Sequence, residues 1–150
     1  MTEYNPTFLK FNGPDTQIAA YERWSVLVRP KQSTLGALVL VANGPETAFS
    51  ELPSRAFTEQ GAVIKDIEQV LSAQFGYDKM NYLMLMMVDP HVHYHVLPRY
   101  QRPAQFQNWI LEDLGWPGQP DLSGGSSDPE LVASLVKSLR AAWPAASRAD

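Results

Sequence analysis

The chain has 150 residues, 45% hydrophobic and 19% charged, which fits one globular domain long enough to bury a proper core. Its formal net charge of −4 argues against a general surface for nucleic acid or anionic membrane, since either needs an excess of Lys and Arg. It has no cysteine, so disulfides and zinc–thiolate sites are excluded. No apolar run approaches the roughly 20 residues of a membrane span. The start, Met1-Thr2-Glu3-Tyr4-Asn5-Pro6, lacks the basic and apolar regions of a leader, so a cytoplasmic address is expected.

Turn formers mark the first stretch, at Asn5-Pro6 and Asn12-Gly13-Pro14. Gln17 to Tyr21 and Trp24 to Arg29 are β-rich and are expected as a hairpin around Glu22-Arg23. Leu35 to Val41 is a nearly continuous apolar run, the pattern of a strand covered on both faces, and Asn43-Gly44-Pro45 ends it. From Pro53 to Phe75 the period becomes helical. Phe57, Ile64, Ile67, Leu71 and Phe75 fall on one stripe, with Gly76 as the stop. Met80 to Val88 is a second dense apolar strand, expected to pair antiparallel with the segment after Asp89-Pro90. Residues 101–127 are rich in Pro, Gly, Gln and Ser and read as an irregular extension anchored by Trp109, Ile110, Leu114 and Trp116. Asp128-Pro129-Glu130 then starts a helix, in which Leu131, Val132, Leu135, Val136, Leu139 and Trp143 repeat at helical spacing up to Pro144.

All three histidines of the chain lie in His91-Val92-His93-Tyr94-His95. Their alternation with Val and Tyr predicts a strand with the imidazoles on one face, roughly 7 Å apart. Three readings are open. The bland one is a polar, solvated strand face. The second is a metal site, although the outer pair would stand roughly 13–14 Å apart, too far to share one ion comfortably. Its other ligands would have to be carboxylates, with Asp89 the nearest. The third, and favoured, is nucleophilic catalysis. The central imidazole attacks phosphorus while its neighbours donate to phosphate oxygens and leaving group. One nitrogen of His93 is then an unprotonated nucleophile, and the other is held as N–H by an acceptor.

The stretch HVHYHVLPR resembles the signature of the histidine triad superfamily. Its Pro98-Arg99 ending is most similar to the branch containing the fragile histidine triad protein and dinucleoside polyphosphate hydrolases. The resemblance spans residues 18 to 100: Trp24 to Arg29 and Leu35 to Val41 resemble the family's paired strands, and Phe49-Ser50-Glu51-Leu52 the turn before its long helix. It implies an α+β fold, an antiparallel sheet with one long helix, and a homodimer. The chain then reads as a single histidine triad-like domain over 1–150, with its core at 18–100 and a C-terminal extension at 101–150 that ends in a helix.

By the same resemblance, His93 matches the nucleophile that forms a nucleotidyl-histidine, and His91 and His95 match the flanking residues that position it and contact phosphate. The chain also departs from the family. Gly36-Ala37 stands where the family commonly has Gly-His, so the supporting fourth histidine is missing. Arg29 stands at the family's polar position, often Asn. Met86-Met87-Val88-Asp89-Pro90 replaces the Gly-Gln-Ser/Thr-Val loop that grips phosphate. Arg99 and Arg29 are candidates to supply the lost phosphate contacts, against the alternatives of a salt bridge for Arg99 and a surface position for Arg29. Asn81 is a candidate at the pocket edge.

The resulting expectation is a nucleotide hydrolase or transferase acting on a phosphoanhydride or phosphoramidate. The alternatives are a nucleotide-binding or sensing module with little turnover and, third, a metal-dependent hydrolase. No cofactor is required, and a divalent cation would arrive with the substrate phosphates.

Overall fold

The apolar run in the middle of the sequence becomes the middle strand of the sheet in a computed structural model that describes residues 4–150. Five strands, β1 (Gln17–Ala20), β2 (Trp24–Val28), β3 (Leu38–Ala42), β4 (Lys79–Leu83) and β5 (His93–Arg99), form one antiparallel sheet in the order β1-β2-β3-β5-β4. All positions of β3 are buried, as a strand covered on both faces requires. It starts at Leu38 rather than Leu35, because Leu35 to Ala37 complete the β2–β3 loop. There Gly36 adopts φ +85°, and the buried Gln32 amide bonds the carbonyls of Arg29 and Ala37 and the N–H of Gly36.

One face of the sheet carries Trp24, Val26, Val28, Leu38, Leu40 and Val96 against two helices. The helix α3 (Ser54–Phe75) ends at Gly76 with φ +60°, a left-handed stop. Its buried stripe is Ala56, Val63, Ile67, Val70 and Leu71, rotated from the expected one. The reason lies at its first turn. The Trp24 indole donates to the Ala56 carbonyl at 2.8 Å, so a small side chain must face the sheet there. Phe57 turns out, 41% exposed, and packs on Phe49 at 5.4 Å between ring centroids. The second helix, α4 after the two short helices introduced below, runs Pro129–Ala142. Asp128 caps it by accepting from Glu130 N, and Leu131, Leu135, Val136, Leu139 and Trp143 are buried in the same cluster. The tail beyond it bonds to β1 through Ala20 N to Ser147 O and Ala149 N to Ile18 O.

Two expectations need correction. The strand after α3 stops at Leu83, not Val88. Its ladder with β5 ends at the pair Leu83–His95, and residues 84–92 form the return loop, leaving Met87 90% and Val88 84% exposed. The extension is not wholly irregular, since β6 (Ala104–Phe106) and β7 (Trp109–Leu111) make a hairpin with Gln107 in the left-handed region. Strand alternation there turns Leu111 inward and Ile110 outward, so Ile110 does not anchor the segment, and neither does the exposed Leu114.

The second sheet face is covered by a part of the chain read only as turns. Asn5-Pro6 is the N-cap and first residue of a helix, α1 (Pro6–Lys10), in which Asn5 accepts from Phe8 N. A single turn, α2 (Gly13–Thr16), follows. Phe8, with Phe11 beside it, packs on Leu27, Val39 and Val41. Among the described residues, no helix is long and apolar enough to cross a membrane.

Candidate active site

Strand alternation places His93 and His95 on that second face, opposite Val41 and Val39 of β3. Tyr94 points the other way, to Trp24 and Phe49. His91 lies one step outside the strand, in the bend where Val92 bonds Glu46 O and Ala42 N. The comb is therefore two strand residues and one loop residue.

Each imidazole is held by its Nδ1. The His91 carbonyl lies 2.7 Å from His93 Nδ1, and a carbonyl can only accept, so Nδ1 carries the proton. In the neutral ring His93 Nε2 then holds a lone pair. It is buried and has no hydrogen-bond partner among the described residues. Arg29 Nε donates to His95 Nδ1 at 3.2 Å, and a guanidinium can only donate, so His95 is protonated on Nε2. Thr7 Oγ1 lies 3.2 Å from His91 Nδ1. The three side-chain contacts all use Nδ1, and none engages an Nε2 atom.

His93 is 0% exposed and His95 7%, because the Phe11 ring covers both at centroid distances of 5.9 and 5.8 Å. His91 is half-buried and borders a cavity of about 370 Å³ with Tyr4, Asn5, Asn43 and Gly44. Lys10 of α1 pairs with Asp89 of the return loop at 2.6 Å, so both ends of the cover are tied to the site. Sequence reasoning missed Thr7, Lys10 and Phe11. The signal was present, since Asn-Pro before an apolar pair is a helix-start pattern.

The other predicted site residues divide. Arg29 is brought to the histidines, where it meets an imidazole. Arg99 and Asn81 are brought to each other instead. Arg99 places Nε and Nη2 on the Asp113 carboxylate, at 2.6 and 3.1 Å, and Nη1 on Asn81 Oδ1 at 2.9 Å. Four residues along a strand is roughly 13 Å, which carries Arg99 past the site into the extension. Asp89, the carboxylate nearest the comb in sequence, is already engaged by Lys10. Among the described residues no three His, Asp or Glu side chains are grouped to hold a metal ion. The segment standing in for the phosphate loop offers the exposed, apolar Met87 and Val88.

Burial, then the Arg29 guanidinium, then His93, push His95 down to about 4 from its ordinary 6.5. Between those values the unfolded chain takes up a proton that the folded chain refuses. This part of the stability is present in full above pH 6.5 and drains as pH falls towards 4. Thermal unfolding should therefore show Tm falling across that window, with a shallower fall in His95→Gln. An identical fall in both proteins would remove His95 as the cause.

No protein-family model matches the chain, and no curated protein matches it in sequence. Solved structures do match in shape. A histidine triad protein of Bradyrhizobium japonicum is 20% identical with a TM-score of 0.62, over 89% of this chain and 94% of that one. A hypothetical histidine triad nucleotide-binding protein of Sulfolobus tokodaii is 15% identical with a TM-score of 0.66, over 91% and 89%. One from Marinobacter aquaeolei is 22% identical with a TM-score of 0.61, over 87% and 90%. The antiparallel sheet, the long helix α3 and the strand bearing the histidines thus make up the histidine triad fold, and that is the fold of this chain.

Proposed function

We propose that the protein is a nucleotide hydrolase or transferase that cleaves a phosphoanhydride or phosphoramidate through a nucleotidyl-His93 intermediate. The observation that carries this reading is the unpartnered, buried His93 Nε2, whose ring is held from behind by the His91 carbonyl. Buried polar atoms are nearly always satisfied, and the exceptions concentrate where chemistry occurs. A Sulfolobus protein of the same fold is described as nucleotide-binding, which supports the substrate class.

In this reading His93 Nε2 attacks the α-phosphorus and forms a P–N bond. The bond from phosphorus to the leaving oxygen or nitrogen breaks, and the leaving group departs with a proton. Water then attacks phosphorus and the P–N bond breaks; the water's proton replaces the one given to the leaving group, the nucleoside monophosphate is released and the free imidazole is restored. His95 Nε2–H donates to a non-bridging oxygen as charge develops. In this reading His91, which borders the cavity, donates to the leaving group. No cofactor is needed for these steps.

The complete burial of His93 under Phe11 favours one second reading, a nucleotide-binding module with little turnover. Acid-free quenching during turnover of adenosine phosphoramidate or a diadenosine polyphosphate, with and without chelator, separates the two. Intact-mass analysis should find one nucleotidyl adduct, mapped to His93. Tight nucleotide binding with neither adduct nor product on any of these substrates would sink the enzyme reading and leave the binding module.

A further inference from the structure

We propose that Arg29 is a positioning residue that sets the tautomer of His95, locking it as a neutral Nε2–H donor rather than binding phosphate itself. The inference rests on the catalytic reading above for its purpose, but not for its geometry.

Two of the three guanidinium nitrogens, Nε and Nη1, are held by protein. Its Nη1 donates at 2.8 Å both to the Lys31 carbonyl and to Ser33 Oγ. Ser33 Oγ in turn donates to Leu122 O of the extension at 3.0 Å. The Arg29 backbone is pinned as well, with its N–H on Ala37 O at 2.9 Å and its carbonyl receiving Gln32 Nε2 at 2.8 Å. Nε is thereby aimed at one atom, His95 Nδ1. An imidazole beside a donor that can never accept has no choice of tautomer. Burial first, and then the neighbouring permanent positive charge, disfavour a second proton, and His95 is lowered towards 4. The charged and titratable groups around His95 are Arg29 from the end of β2, His93 on its own strand and Asp89 in the return loop. Asp89 acts in the opposite sense and is engaged by Lys10. His95 thus presents a directed N–H and no charge, and the cation stands one ring behind it.

With three histidines in the chain, long-range proton–nitrogen correlation spectra are simple to assign, using His95→Gln as the key. At neutral pH the wild-type His95 should show the Nε2–H form and keep it on acidification well below pH 6. In Arg29→Met the ring should become a tautomer mixture and titrate higher than in the wild type, while burial keeps it below an ordinary histidine. Arg29→Lys keeps a donor that can never accept but loses the planar fork that aims it, so it should hold the tautomer less completely than wild type and more completely than Arg29→Met. Removing such an orienting partner should lower kcat/KM by about 10- to 100-fold and shift the acid limb of the pH profile upward. A wild-type His95 protonated on Nδ1 overturns the proposal, and this outcome does not depend on any Arg29 variant folding. Unchanged His95 spectra in Arg29→Met overturn it as well. An Arg29-dependent tautomer in a protein inert toward nucleotides would defeat the catalytic reading alone.

Discussion

His93→Ala should reduce turnover of a nucleotide phosphoramidate or dinucleoside polyphosphate by about four to six orders of magnitude, the scale seen when a covalent nucleophile is removed. In the proposed mechanism the whole reaction passes through a bond to His93 Nε2, and no neighbour can substitute. His95 has its Nδ1 occupied by Arg29 and its Nε2 protonated. His91 lies outside the strand, half-buried, with its Nδ1 beside Thr7 Oγ1. Nucleotide affinity should change far less than turnover, because the contacts expected from His91, His95 and the cavity wall remain. Single-turnover kinetics measures the first quantity and calorimetric titration of a nucleoside monophosphate the second. Activity within tenfold of wild type would show that the comb is not a nucleophilic site.

The largest stability effect is expected at a residue far from this chemistry. Asp113→Ala should cost about 3–5 kcal/mol in urea unfolding, as breaking a buried ion pair by removing one partner does. Arg99 is 4% exposed, and two of its nitrogens rest on Asp113, which also accepts from Tyr100 N at 3.1 Å. Deleting the carboxylate strands a nearly buried guanidinium, with the Asn81 contact as its remaining side-chain hydrogen bond among the described residues. Arg99→Met in the same chain should recover much of the loss, because an apolar side chain of similar length carries no charge to strand. A single-variant cost below about 1 kcal/mol, the range of exposed pairs, would mean that the pair is solvated in solution. The pair joins the end of β5 to the extension, so the loss should appear as one cooperative transition.

How far such features could be read in advance differs from residue to residue. The alternation of His93, Tyr94 and His95 set their faces, and the pairing with β3 agrees with it. The apolar run before Asn43 announced a strand buried on both sides, and Asp128-Pro129 and Gly76 marked helix ends through their own backbone chemistry. Met84 to Val88 misled, because the same apolar density describes a strand and an exposed loop. Only the length of the ladder with β5 distinguishes them. Phe57 misled for a related reason. The helical period was right, but the phase was decided by Trp24 requiring a small neighbour at Ala56.

By itself, then, the sequence determined what depends on neighbours along the chain: strand and helix periods, caps, turn positions and the shared face of His93 and His95. Tertiary structure alone decided what those histidines meet. Arg29 reaches His95 across 66 residues and Thr7 reaches His91 across 84, while Arg99 is drawn away from the comb to Asp113. A periodic pattern records which face a side chain takes, because that is a property of the backbone's own repeat. It carries no record of which distant side chain is folded against that face, and here one such contact, Arg29 to His95, assigns a proton.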